Sequence, residues 1–135
     1  MDIKAFEYLL EGYKAYNASL DNNYGNVVVD LPPNKPEFPL TIVSETRNVA
    51  ISTLNTCYER VASVGYRVDI WAQDKGNLSR LTIARAIADQ ADEFFTTIGL
   101  MRVSFNANAL SDEGGSYHII LTYSGNLDET RRRFI

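Results

Sequence analysis

The sequence predicts an α+β fold, in which an antiparallel sheet of about four strands has two helices packed on one face. Two segments repeat apolar residues three and four apart, the spacing of one helix face. Alternation of mainly apolar with mainly polar residues predicts strands at 60–73, 100–107 and 117–124. The predicted elements follow the order helix, two or three strands, helix, two strands. Packing both helices on one sheet face is the economical arrangement for that order, and it leaves the other face open.

The length and composition agree with one globular domain spanning residues 1–135. Hydrophobic residues make up 45% of the chain and charged residues 22%, which is typical of a folded domain. Three of the 13 basic residues are the adjacent Arg131, Arg132 and Arg133, so residues 1–130 carry 10 Lys and Arg against 17 Asp and Glu. A body this acidic argues against a nucleic-acid-binding surface, because phosphate neutralisation needs a basic patch.

The chain has a single cysteine, Cys57. One cysteine excludes an internal disulfide and a zinc site built from several cysteines. No run of about 20 apolar residues occurs, and the amphipathic N-terminus does not have the pattern of a signal peptide. The sequence therefore predicts a soluble protein of a reducing compartment, without a membrane-spanning segment.

The N-terminal half is predicted to contain the first helix and the first strands. The helix covers 2–18, with Asp2 as its N-cap. The segment 27–30 reads as a small edge strand, and 31–39, which holds all four prolines, reads as an extended arm or loop. A β-branched strand follows at 40–47. The segment 48–59 has no clear period and is interpreted as a continuation of that strand or as a loop.

The second half begins with a long strand over 60–73 that bends at Gly65. A helix over 79–98 follows, capped by Ser79 or Asn77 and ended by Gly99. Strands 100–107 and 117–124 close the fold around the loop 108–116. The residues from 126 to 135 are predicted to form a polar, basic C-terminal tail.

Catalytic patterns are weak in this sequence. His118 is the only histidine and has no acid or cysteine near it along the chain, so it is interpreted as a partly exposed cross-strand residue. Asp69 and Asp74 fall on opposite faces of a strand end, which separates them too far for a general acid–base pair. Phosphate-loop, dinucleotide-binding, zinc-protease and serine-hydrolase motifs are absent. We therefore expect no enzymatic activity and no cofactor.

The predicted strand 60–73 carries an unusual set of side chains at its polar positions. Arg67, Asp69 and Trp71, the only tryptophan, alternate with the apolar residues that face the helices. Interfaces between proteins are enriched in Trp, Tyr and Arg, so Trp71 is a candidate anchor for a protein partner. The alternative is that the arm 31–39 of the same chain covers Trp71.

Several segments together resemble the tail terminator family of long-tailed bacteriophages, also called tail completion or minor capsid proteins. A proline precedes the first core strand in "FPLTIVSE" (38–45), and the strand "YRVDIWAQDKG" leads through a Lys-Gly turn into the second helix. That helix ends in Ile98-Gly99-Leu100-Met101-Arg102, and the closing strand is "YHIILTYSGNLDE". The likeness covers about residues 1–128, and it departs from the family pattern at His118 and Ile119, where many relatives carry an arginine.

The resemblance implies a structural function without catalysis or cofactor. Tail terminators form a ring, usually hexameric, that caps the tail tube, stops its polymerisation and docks the head-completion or connector protein. DNA passes through the ring without specific binding. The implied location is the virion, at the neck or tail top, after synthesis in the bacterial cytoplasm. Other residues expected at interfaces, besides Arg67, Asp69 and Trp71, are Pro32, Pro33, Pro36, Phe38, Asp112, Glu113, Arg131, Arg132 and Arg133.

Three alternatives remain at this point. The nearest is another head–tail neck or adaptor protein, whose size and purpose are similar. A second is a small-ligand domain that uses the open sheet face around Trp71 and tyrosines. A third is a metal-dependent hydrolase built on Asp89, Asp92 and Glu93, although a solvated helix face is the simpler interpretation of that cluster.

Overall fold

A computed structural model describes residues 5–20, 25–35, 37–50, 61–108, 116–128 and 133–134. Its α+β architecture agrees with the fold class that the sequence predicts. The elements are α1 (Ala5–Ser19), β1 (Val27–Val29), β2 (Leu40–Ala50), β3 (Val61–Ala72), α2 (Arg80–Thr97), β4 (Met101–Asn108), β5 (Tyr117–Asp128) and β6 (Arg133–Phe134).

The sheet has five strands in a row, in the order β1-β2-β3-β5-β4, and the two-residue β6 pairs with β5. The predicted count of about four is therefore too low. Strand β1 lies where the sequence predicts a small edge strand, over 27–30, and it pairs in parallel with β2 through Val27↔Leu40 to Val29↔Ile42. A parallel neighbour needs a connection long enough to return the chain to the starting end of the sheet. The proline-rich segment between β1 and β2 supplies it, and its described residues form neither helix nor strand.

A β-bulge interrupts the antiparallel pairing of β2 with β3. The pairing is regular from Leu40↔Trp71 to Glu45↔Tyr66 and shifts by one residue before Arg47↔Gly65. A Cβ on Gly65 would lie 2.6 Å from the hydroxyl of Thr46, the extra residue of the bulge. Glycine at this position therefore provides the space that the bulge needs, and the bend predicted at Gly65 lies opposite this irregularity.

Helix α2 begins and ends as its sequence indicates. Ser79 is the N-cap, and its hydroxyl accepts a hydrogen bond from the Thr82 backbone N–H at 3.2 Å. The Asp74 carboxylate accepts another from the Arg80 N–H at 2.7 Å. Asp74 thus provides a hydrogen-bond acceptor for a backbone N–H at the start of the helix, where negative charge is favourable. Gly99 follows the helix with φ +106°, a conformation that only glycine adopts without strain.

Replacing Gly99 by alanine should lower the free energy of unfolding by about 1–2 kcal/mol, because a Cβ there is strained at positive φ and would lie 3.3 Å from Phe134. Gly12→Ala is the matched control. Gly12 lies in α1, where an added Cβ would meet Phe94 at an ordinary 3.5 Å, so this change should be neutral or raise stability by up to about 1 kcal/mol. Urea titration of both variants measures the difference, and equal effects would contradict the assignment of the helix end.

Both helices pack on the same face of the sheet. Phe95 of α2 is fully buried and contacts Tyr13 of α1 and Tyr123 of β5, with ring centroids 5.2 and 4.9 Å apart. Ring pairs at these separations add to the free energy of area burial. This aromatic cluster therefore joins the two helices to the sheet. Within the described ranges, neither helix is long and apolar enough to cross a lipid bilayer.

A small buried polar network holds the end of α1 against the start of the sheet. The Asn17 side-chain amide donates to the Asn26 carbonyl at 3.0 Å, and Asn26 donates back to Asn17 at 3.2 Å. The Thr41 hydroxyl donates to the Asn26 side chain at 2.7 Å. Because these buried polar groups bond to one another, their burial does not leave unpaired donors.

The described residues of the predicted tail, 126–128 and 133–134, lie in strands. Strand β5 continues to Asp128, and Leu127 is 1% exposed in the core. Phe134 pairs with Leu127 through β6 and packs edge-on against Tyr66, with centroids 6.0 Å apart. Leu127 therefore belongs to the core, and Phe134 packs against it.

Candidate interface on the open sheet face

The face of the sheet opposite the helices carries the residues that the sequence singled out. Burial alternates along β3, so that Val68 and Ile70 face the helices and are fully buried. Arg67, Asp69 and Trp71 lie on the opposite face, where Arg67 is exposed and the other two are partly buried. The structure therefore brings these three predicted residues together on one surface.

Asp69 is the centre of a polar cluster on this face. Its carboxylate accepts hydrogen bonds from Arg67 Nε at 2.9 Å and from Arg67 Nη2 at 2.9 Å, which is the fork geometry of a guanidinium. Asp69 Oδ1 also lies 2.9 Å from Nε2 of His118 on the neighbouring strand β5. One carboxylate thus joins two strands and two nitrogen-bearing side chains.

Trp71 covers this cluster by stacking on His118. The two rings are nearly parallel, at 10°, with centroids 3.7 Å apart. His118 is only 7% exposed as a result. On the other side of Trp71, Leu40 is its partner in the β2 register and is 3% exposed. In the sheet register, Trp71 therefore lies between two buried neighbours, and part of its surface is still accessible.

His118 is the site residue that the sequence analysis missed. The structure corrects the interpretation of His118 as a partly exposed residue, since His118 is buried and lies beside Asp69 and Trp71. The reason is that 49 residues separate Asp69 from His118 along the chain, while the register places His118 directly opposite Trp71. One sequence pattern does indicate the pairing: His118 occupies a polar position in the alternation of β5, as Trp71 does in the alternation of β3.

The cluster lowers the pKa of Asp69. Burial alone would raise the pKa of this carboxyl, but the hydrogen bonds from His118 and Arg67 and their charges outweigh that effect. A carboxyl whose pKa is lower in the folded state than in the unfolded chain binds fewer protons when folded. It contributes stability above its ordinary pKa of about 3.9, and that contribution is lost as the pH falls through the lower folded value.

We therefore expect the free energy of unfolding to decrease as the pH falls below about 4, and to do so less steeply in Asp69→Asn, which has no titrating carboxyl. Urea titrations from pH 3 to pH 7 measure both slopes. Glu37→Gln, at an exposed position outside the cluster, serves as a control for the removal of one negative charge. Identical slopes for Asp69→Asn and the unmodified protein would show that the cluster does not hold the charged carboxylate.

The geometry of the cluster favours a structural role over catalysis. A carboxylate-oriented imidazole is the arrangement of a general base, but the indole of Trp71 lies on this imidazole and the His118 side chain is 9% exposed. A substrate proton would have to reach it past the stacked ring. Within the part of the chain that the structure describes, no group of three or more His, Cys, Asp or Glu side chains has the arrangement of a metal site.

The acidic cluster on α2 is divided between two separate contacts. Asp92 accepts a hydrogen bond from the Tyr123 hydroxyl at 2.8 Å and lies 3.4 Å from the Arg102 guanidinium. Glu93 accepts from Tyr16 at 3.4 Å. Burial, together with the bond to Asp92 and its charge, raises the pKa of Tyr123. Asp92 and Glu93 therefore bond to different elements of the fold and are not directed at a common point.

The other predicted interface residues are distributed over the chain. Pro32 and Pro33 are exposed in the connection between β1 and β2, and Phe38 in the same connection is partly buried. Arg133 enters β6 through its backbone. Outside the described residues lie Pro36, Asp112, Glu113, Arg131, Arg132 and the Arg133 side chain, as does Cys57.

The open face around the cluster is poor in acids. Two residues from Trp71 along β3, Asp69 has Ile42 of β2 on one side and Ile120 of β5 on the other, and both isoleucines are partly buried. The strand neighbours of Arg67 on both sides carry hydroxyl groups. One of them, Thr122 of β5, is hydrogen-bonded to Ser104 of β4 at 2.8 Å. This mixture of apolar, hydroxyl and arginine side chains around a tryptophan is typical of an interface between proteins.

Comparison with known proteins identifies the fold but not a family. No family model matches the chain, and no curated protein matches its sequence. Among solved structures, the chain is similar to one from the "Virion of native gene transfer agent (GTA) particle", with a TM-score of 0.57 and 14% sequence identity. The likeness covers 89% of this chain and 94% of that chain. At this identity the two proteins share a fold, and nearly the whole of each chain contributes to it.

Proposed function

We propose that this protein is a structural component of a bacteriophage-like virion. It would act as a tail terminator, forming a ring that caps the tail tube, stops its polymerisation and docks the head-completion protein. The observation that carries the proposal is the fold shared with a virion chain over 89% of this protein and 94% of the other. The order of sequence segments that resemble the tail terminator family supports the same function.

The open sheet face supplies the contact surface for such a function. Trp71 is fixed by stacking on His118, so that little conformational entropy is lost when a partner covers it. Arg67 beside it remains 46% exposed while bonded to Asp69. A rigid tryptophan next to an oriented arginine matches the residues that contribute most binding energy at protein interfaces. We assign this face to a neighbouring virion protein, with the tail tube as the first candidate.

Electron microscopy of the purified protein tests the ring directly. The protein alone, and the protein mixed with isolated tail tubes, should show rings of about the tube diameter, free or at one end of each tube. A protein that stays monomeric at high concentration and does not bind tubes would contradict the proposal. Rings found only on the head side of the neck would instead support the alternative of a head–tail adaptor.

A second candidate function rests on a groove on the helix side of the molecule. Its volume is about 460 Å³, and its lining is mostly apolar, including Tyr8, Leu9, Phe94 and Phe134. This volume falls within the range of small-molecule sites. The location differs from the open sheet face where the sequence analysis placed such a site. A screen of apolar ligands by thermal shift tests this candidate, since a bound ligand raises the melting temperature.

A further inference from the structure

Strand β4 forms an unusually open edge of the sheet. It pairs with β5 on one side, and among the described residues no strand lies on its other side. All side chains from Met101 to Asn106 are exposed. Three of them are large and apolar, with Met101 67%, Val103 60% and Phe105 42% exposed. An exposed apolar edge of this length is a template for pairing with another chain.

Few of the features that protect natural edge strands occur in β4. Its eight residues include no lysine and no proline, which are the residues that commonly block such edges. The only charged side chain is Arg102, which lies 3.4 Å from Asp92 of α2. A bulge between Arg102 and Ser104 is the one irregularity. The edge is therefore suited to a partner strand.

The opposite side of the same sheet carries a second open edge of equal length. Strand β1 covers β2 only from Leu40 to Ile42. The remaining eight of the 11 residues of β2, Val43–Ala50, have β3 on one side and no described strand on the other. Glu45 and Val49 are exposed along this segment. Among the described residues, two strand edges of eight residues each, at opposite ends of one sheet, therefore have no neighbouring strand.

We propose that β4 of one copy of this chain pairs with Val43–Ala50 of the next copy. The inference rests on the proposed ring, because it supplies the contact between ring neighbours. Two different edges joined in this way give a head-to-tail contact, which closes into a ring when the rotation between copies allows it. Both β3 and β4 run antiparallel to β5, and β2 runs antiparallel to β3. Copies related by rotation about an axis along the strands would therefore pair β4 antiparallel to β2.

The charges at the two edges agree with this pairing. The β4 edge carries Arg102, which lies 3.4 Å from Asp92 of its own chain but remains 47% exposed, and the β2 edge carries the exposed Glu45. The other charged residue of that edge, Arg47, donates to Ser63 at 3.0 Å and to the Val64 carbonyl at 3.3 Å within its own chain. Opposite charges across an interface favour the correct partner and register.

Two double variants test the pairing, each of which places lysines on one edge. Met101→Lys/Val103→Lys blocks β4, and Glu45→Lys/Val49→Lys blocks β2. All four positions are exposed, so both variants should fold, which circular dichroism verifies. Leu78→Lys is the control, because Leu78 is an exposed apolar residue in the turn before α2. Light scattering with chromatography and electron microscopy measure assembly, with and without tail tubes.

Each double variant alone should be monomeric, while Leu78→Lys should form the same ring as the unmodified protein. An equimolar mixture of the two double variants should form a dimer and nothing larger, because each variant keeps one edge intact. Rings of unchanged size in either double variant would overturn the edge pairing and leave the proposed function standing. An unmodified protein that never assembles would overturn both.

Discussion

Replacing Phe95 by alanine is expected to lower the free energy of unfolding by about 3–5 kcal/mol, the usual cost of deleting a buried aromatic ring. Phe95 is fully buried, and its ring contacts Tyr13 of α1 and Tyr123 of β5. Its loss would leave a cavity where both helices meet the sheet. Because small domains are stable by only about 5–15 kcal/mol, this change should bring the protein close to unfolding at ambient temperature.

Phe105→Ala is the matched control for this prediction. Phe105 is also a phenylalanine but is 42% exposed on β4, with the Arg85 guanidinium 5.8 Å from its ring centroid. Its removal should cost about 1–2 kcal/mol, less than the removal of Phe95, since the ring is partly exposed and lies outside the core cluster. Chemical denaturation measures both variants. Similar losses in the two variants would contradict the description of the core as a single aromatic cluster below the helices.

Replacing Trp71 by alanine is expected to weaken binding to isolated tail tubes by about 30-fold or more, which corresponds to about 2 kcal/mol, the threshold of an interface hot spot. The same change should lower the free energy of unfolding by about 1–2 kcal/mol, because the ring is only partly buried and its stack on His118 is lost. Co-sedimentation with tail tubes measures binding, and urea titration measures stability.

Two further variants separate binding from stability. Trp71→Phe keeps an aromatic ring over His118 and should recover much of the stability, but less of the binding. Leu78→Lys is the surface control, because Leu78 is 39% exposed in the turn before α2, outside the strands of the sheet. It should leave both tube binding and stability nearly unchanged. If Trp71→Ala binds tubes as tightly as the unmodified protein, the open face is not the contact surface.

The helices and central strands could be predicted because, in each of them, apolar residues recur at a regular spacing along one buried face. Ser79 and Gly99 marked the ends of α2 by their conformational preferences. The small edge strand predicted over 27–30 matches the place of β1, which has three residues. Its parallel pairing with β2 could not be predicted, because that pairing depends on where the intervening loop returns. The end of β5 was missed because a single buried residue, Leu127, does not make a pattern.

The candidate site could be predicted only in part, for a similar reason. Arg67, Asp69 and Trp71 lie on one strand, so alternation alone placed them on one face. His118 joins them through the register of β3 and β5, which the local sequence does not specify. The open edges of β4 and β2 depend on the strand order of the whole sheet. The spacing of apolar residues within a segment therefore predicts which side chains share a face, while contacts between strands can be known only from the folded structure.

Tail length in particles that lack this protein is the most direct test of the proposed function. The gene would be deleted from the phage or phage-like element that carries it, and the tails would be measured by electron microscopy, with the deletion complemented from a plasmid as the control. A tail terminator predicts tails of abnormal and variable length that do not join to heads, restored by complementation. Tails of normal length joined to heads in the deletion would contradict the account.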